Sequence, residues 1–167
     1  MDIKKHITAL GFVPKNGTNG IYHKIYVDYA IEIDFETQSI NYGSAITADR
    51  KTTQNFSDAE NFVVLECIDR LLAKGYKPQN IVLEKTWPAG HGVSKHLDIC
   101  VNREDGIPYM LIECKTFGKE YNKEMARIRK DGGQLFTYFQ LSGSKADVQY
   151  LINICNYGNS WCYTGNI

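Results

Sequence analysis

The chain has 167 residues, 43% hydrophobic and 23% charged, with Lys+Arg and Asp+Glu both at 19. That is about one domain of ordinary globular composition, which excludes a disordered or collagenous chain. Balanced charge excludes a globally basic nucleic-acid binder, so any such surface must come from local patterning. No apolar run is long enough for a membrane span, and MDIKKHITAL lacks a secretory leader's apolar stretch. Cys67, Cys100, Cys114, Cys155 and Cys162 form no CxxC pair and are odd in number. Reduced thiols in a cytoplasmic protein without membrane attachment are the expectation.

In chain order, a short helix precedes a Gly/Asn-rich loop, KNGTNG. The segment after it alternates apolar and polar residues through Tyr22, Ile25, Val27, Ile31, Ile33 and Phe35. This predicts an antiparallel meander within a β-rich extension over residues 1–50. Residues 51–167 read as the core. Ser57-Asp58-Ala59-Glu60 has the form of a capping box, with Ser at N-cap and Glu at N3. It opens a largely buried helix through Leu72, which Gly75 and Pro78 terminate. Glu66 is the acid embedded in that apolar run, and its alternative role is an i,i+4 ion pair with Arg70. NIVLEKT (80–86) reads as a strand and WPAGHGVSK as a loop. HLDICV and YMLIECK read as a β-hairpin about NREDGIP. A charged segment follows, then the short amphipathic helix GQLFTYFQLSG and an apolar strand over 147–156. WCYTGNI carries no terminating element, as in a fragment of a longer protein.

The hairpin places Asp98 on one strand and Glu113 and Lys115 on one face of the next. Such charges are costly to bury unless they pair, bind metal or do chemistry. Two carboxylates on neighbouring strands can hold a hard divalent cation, which lowers the pKa of a bound water. A lysine on the same face can orient that water or stabilise an oxyanion. The alternative is that Lys115 pairs with Glu113 or Glu120 while Asp98 solubilises a strand edge. Glu84 could be ligand, partner or exposed residue. His91, His96, Cys100 and Cys114 lack the short spacing of a structural zinc site, and buried free cysteine accounts better for the last two.

The order helix, strand, strand with Asp98, strand with Glu113-Cys114-Lys115, helix resembles the PD-(D/E)xK nuclease superfamily, although Leu97 stands where the motif has Pro. Gln134 and Tyr138 match its QxxxY signature and share a helix face. More narrowly, NFSDAENFVVLECIDRLLAKGY, LEKTW, LDICV, LIECKT and GGQLFTYF resemble, in that order, the N-terminal nuclease domain of type I restriction enzyme R subunits and of fused restriction–modification enzymes. The resemblance implies an α/β (α+β) fold with a restriction-endonuclease-like core, a central mixed sheet flanked by helices in the order αβββαβ. It implies Mg2+-dependent endonuclease action on foreign double-stranded DNA, Mn2+ substituting, beside other domains or subunits of a restriction–modification complex. Asp98, Glu113, Lys115, Gln134 and Tyr138 become the catalytic set. Asp98 and Glu113 become metal ligands, with Glu66 as a further candidate. Lys119, Lys123, Arg127, Arg129 and Lys130, beside that site, become candidates to grip the DNA backbone, or else a solvated helix with internal ion pairs. Two rival functions share the fold: a non-cleaving DNA-docking module, and a nuclease of DNA repair or recombination.

Overall fold

Asp2 opens the first element, its side chain accepting from the Lys5 amide at 3.1 Å to cap α1 (Ile3–Ala9). The computed structural model describes residues 2–143, 148–154 and 164–166, with side chains over 2–143. The alternating segment folds as an antiparallel meander of β1 (Val13–Pro14), β2 (Ile21–Tyr26), β3 (Tyr29–Asp34) and β4 (Ser39–Asn41), in that spatial order. Ile31, Ile33 and Ile40 turn inward from it. β5 (Thr47–Ala48) leaves this sheet and pairs in parallel with β6 (Ile81–Pro88). The first fifty residues therefore contribute strands to both sheets.

α2 (Glu60–Ala73) starts differently from the predicted capping box. Ser57 turns away to hydrogen-bond Asn55, and the Asp58 carboxylate accepts from the Glu60 amide at 2.9 Å. Asp58 thus closes the first turn, and Glu60 does not reach back to a cap. The other end is as expected. Gly75 takes a left-handed φ of 87°, and the Tyr76 and Gly75 amides donate to Leu71 and Leu72 at 3.1 and 3.0 Å.

The second sheet runs in the order β10-β9-β8-β7-β6-β5 and is mixed. β7 (Ser94–Asn102) pairs antiparallel with both β6 and β8 (Pro108–Thr116), and β9 (Val148–Ile154) lies parallel to β8. Residues 147, 155 and 156 of the predicted last strand lie outside the described residues. The chain end does carry an element, β10 (Thr164–Asn166), which pairs antiparallel with β9. Trp87-Pro88 and Ser94-Lys95 extend β6 and β7, so the predicted loop shrinks to residues 89–93.

α2 lies between the two sheets, which explains its burial on nearly every side. Ile81, Leu83, Ile99, Val101, Met110, Ile112 and Cys114 pack toward α2 and the N-terminal sheet in one core. The Lys24 ammonium and Tyr26 hydroxyl both bond Asp69 of α2, fastening the meander to the helix. On the far face, Val82, Leu97, Cys100 and Leu111 pack against Tyr121 of α3 (Lys119–Asp131) and Leu135 and Tyr138 of α4 (Gly133–Leu141). The charged segment is thus a helix, its inner face carrying Tyr121, Glu124, Met125 and Ile128. The molecule is a mixed α and β structure with two sheets and four α-helices among the described residues. No helix among them is long and apolar enough to cross a membrane.

Candidate active site

A change of phase in β6 and β7 builds the site. Along β6, Ile81 and Leu83 face α2 and Val82 faces α3 and α4. Strict alternation would send Glu84 with Val82. Instead Glu84 takes a left-handed φ of 51° and lines a cavity with Asn61 and Val64 of α2. Trp87, two residues after Lys85, packs on the Tyr138 side. β7 does the same: Ile99 faces α2, Leu97 the opposite core, and Asp98 between them lines the same cavity. Register pairs Leu83 with Ile99 and Lys85 with Leu97 but leaves Glu84 and Asp98 unpaired between them. Both strands therefore slip phase at one level and turn two carboxylates toward α2.

β8 supplies the partners. Its pairing with β7 ends at Ile99–Ile112, one residue short of Asp98 and Glu113. There the Asp98 Oδ2 accepts from the Cys114 amide at 2.6 Å, standing in for a strand hydrogen bond. Glu113 Oε1 accepts from Lys115 Nζ at 2.6 Å, and the same ammonium donates to Cys114 O at 2.8 Å and Glu60 Oε1 at 3.4 Å. Glu120 is not its partner; that acid lies 3.8 Å from Lys123. Glu113 Oε2 is buried without a hydrogen-bond partner.

The electrostatics follow from this crowding. Burial pushes the Asp98 carboxyl up to about 7, with Glu60 and Glu84 adding to the rise and Lys115 and the Cys114 amide opposing it. Burial, then Asp98, push Glu113 well above the usual carboxylate range. Glu60 is raised by its own burial. Burial would lower Lys115, but Glu113, Asp98 and Glu60 outweigh it and hold the ammonium charged. Glu60, Glu84 and Asp98 line a cavity of about 240 Å³ whose wall also includes Thr52, Thr53, Ser57 and Asp58. Thr53 Oγ1 is, like Glu113 Oε2, among the buried side-chain atoms without a hydrogen-bond partner.

The remaining candidates divide. The Gln134 side chain hydrogen-bonds Tyr138, and burial followed by the Glu113 and Asp98 charges raises the phenol. That hydroxyl donates to the His96 carbonyl in β7, and the ring lies 6.1 Å from Trp87. Tyr138 therefore ties α4 to β7, and Gln134 holds Tyr138. Glu66 is not brought to the site. Arg70 Nε and Nη2 donate to its Oε1 at 2.9 and 2.6 Å, and His6 Nε2 lies 3.9 Å from its other oxygen. At about 100° per residue, Glu60 and Glu66 point in widely different directions from α2. Glu60 is the helix acid at the site.

Lys119, Lys123, Arg127 and Lys130 follow one exposed stripe of α3 opposite its buried side, while Arg129 is exposed off that stripe. Arg127 also contacts the buried Glu124 at 3.3 Å. His96 bonds Thr86 at 2.9 Å, and Cys67, Cys100 and Cys114 are buried free thiols. Cys155 and Cys162 lie outside the described residues. Among the described residues no three His, Cys, Asp or Glu side chains form a ready-made metal cage. Lys115 instead sits between Glu113 and Glu60. Compared with protein-family models and with curated proteins, the chain matches none.

Proposed function

We propose that this chain is a Mg2+-dependent DNA endonuclease domain of a restriction–modification system, acting in the cytoplasm with other domains or subunits. The element order from α2 to β9 supports a restriction-endonuclease-like αβββαβ core in which α3 and α4 together take the place of the second helix. The observation that carries the reading is the crowded Asp98–Glu113 pair, with Glu113 Oε2 buried and unpartnered beside the lysine. Adjacent carboxylates that repel one another and an oxygen without a donor fit a hard divalent cation. Asp98 and Glu113 would hold it, with Glu60 at hand; Mn2+ has the same ligand preference. When bound, the cation lowers the pKa of a water and neutralises charge on the phosphate.

The chain's own residues do the rest. Lys115 stays an ammonium at neutral pH, so it acts as a hydrogen-bond donor and electrostatic anchor for water and phosphate, not as a base. Attack of water on phosphorus with loss of the 3′ oxygen leaves a 5′-phosphate and a 3′-hydroxyl. The exposed α3 stripe supplies phosphate contacts that position the duplex without reading its sequence. Asp98→Ala and Lys115→Ala should each abolish nicking of supercoiled plasmid in Mg2+ while leaving the circular dichroism spectrum intact. Retained Mg2+-dependent nicking by both would overturn the reading.

One observation favours a second reading, a non-cleaving DNA-docking module. Lys115 already neutralises Glu113, and no ready-made cage is present among the described residues. Calorimetric titration with Mn2+ separates the two, because a docking module needs no cation and would release no heat.

A further inference from the structure

The β6–β7 hairpin continues beyond the carboxylates. Past Glu84 and Asp98 it carries four more register pairs, Lys85–Leu97, Thr86–His96, Trp87–Lys95 and Pro88–Ser94. β8 has left it at Ile99, and β5 pairs only with Val82 and Leu83. Asp49 reaches along its root, accepting from the Thr86 amide at 2.8 Å and lying 3.5 Å from Lys85. Beyond that point the hairpin is a two-stranded ribbon without a sheet neighbour among the described residues. At about 3.4 Å per residue the two pairs there, Trp87–Lys95 and Pro88–Ser94, span roughly 7 Å, and the turn over residues 89–93 extends them.

Its composition is one-sided. From Lys85 to Leu97 the chain carries Lys85, His91, Lys95 and His96 and no acid. Lys95 is exposed and has no ion pair among the described residues. Lys85 Nζ lies 5.9 Å from the Trp87 ring. The tip turns through Gly90, His91 and Gly92, all with left-handed φ, closed by Val93 N to Gly90 O at 2.9 Å. Its glycines leave the backbone open to close approach. The root is held by Tyr138, whose hydroxyl bonds His96 O and whose ring meets Trp87.

We propose that this ribbon is a DNA-engaging arm that enters a groove of the duplex beside the site, with Lys95 and His91 on backbone phosphates. A two-stranded ribbon fits the major groove, about 12 Å wide and 8.5 Å deep. Asp98 stands at the foot of the ribbon, so its seating in the groove fixes which phosphodiester reaches the carboxylates. Tyr138 is then a positioning residue that sets the angle between arm and site. The proposal rests on the endonuclease reading and adds the surface by which the duplex is held.

The test compares wild type, Lys95→Ala, and a protein in which residues 89–93 are replaced by Asn-Gly, a turn that preserves the strand register. Binding to a short duplex is followed by fluorescence anisotropy with Ca2+ in place of Mg2+ across a salt series, and nicking is measured in Mg2+. The shortened arm should bind duplex about tenfold more weakly, and Lys95→Ala should lower the salt slope by about 1. Wild-type affinity and salt slope in both variants, with wild type binding and cleaving, would overturn the arm alone. An equal loss on single-stranded DNA would also overturn groove insertion. Failure of wild type to bind or cleave duplex would overturn the arm together with the endonuclease reading. Lys95 is exposed, so its variant keeps the test decisive if the shortened arm does not fold.

Discussion

Asp98→Asn isolates what the site takes from the stability of the fold. Asn keeps an oxygen to accept from the Cys114 amide, now 2.6 Å from Asp98 Oδ2, and removes the charge. In the folded protein burial lifts this carboxyl from its ordinary 3.8 to about 7. A folded pKa above the unfolded one means that the native state binds the proton more tightly between those values. Stability therefore falls as pH rises through that window, and the cost is complete above about 7. A rise of roughly three pH units at about 1.4 kcal/mol each makes that cost on the order of 4 kcal/mol. Without Asp98, Glu113 also loses the charge that stands second to burial in raising it. Urea unfolding in EDTA from pH 4 to 8 should show wild type losing stability toward neutrality. Asp98→Asn should be flatter with pH and more stable at pH 8. A variant less stable than wild type at pH 8, or a wild type whose stability is level across the range, would refute the electrostatic account.

Three further expectations separate site from scaffold. Glu60→Gln should lower Mg2+-dependent nicking about tenfold or more while leaving the fold intact, since this acid touches Lys115; unchanged nicking would remove Glu60 from the site. Glu66→Ala should do the reverse, leaving nicking within about twofold and lowering stability by about 1–3 kcal/mol through loss of the buried Arg70 pairing. Gly133 takes a φ of 58°, and a Cβ there would lie 2.5 Å from Glu124 Oε1, which itself accepts from the Gln134 amide at 2.7 Å. Gly133→Ala should therefore destabilise by about 1–3 kcal/mol in urea and weaken the seating of α4; equal stability would contradict the capping role of Glu124.

The sequence made the meander, α2, the hairpin and the α4 helix legible because each has a clean period and a visible stop. It also brought Glu113 and Lys115 to one face and Gln134 beside Tyr138. Glu60 was hidden by a local rule. Ser57-x-x-Glu60 reads as a capping box, yet Ser57 turns to Asn55 and the Asp58 carboxylate takes the Glu60 amide, leaving Glu60 to face the strands. Glu66 was open to a site role or an ion pair with Arg70, and Arg70 one turn later takes its Oε1. The phase slip at Glu84 could not be read from periodicity, since a single left-handed residue inverts the pattern without changing the composition, and the slip at Asp98 follows it across the β6–β7 pairing. Trp87 and Lys95 hid in a stretch whose Gly and Pro content reads as loop. The charged α3 was legible as a surface segment; its inner face rests on Tyr121, Met125 and Ile128, too sparse a pattern to announce a packed helix.

The most direct measurement is the end chemistry of wild-type product. Closed circular duplex incubated with the protein in Mg2+ should be nicked or linearised, EDTA should stop it, and Mn2+ should restore it. The new ends should be substrates for ligase without prior kinase treatment, as a 5′-phosphate and a 3′-hydroxyl require. Cleavage that persists in EDTA, or ends carrying a 3′-phosphate, would contradict the account built on Asp98, Glu113 and Lys115.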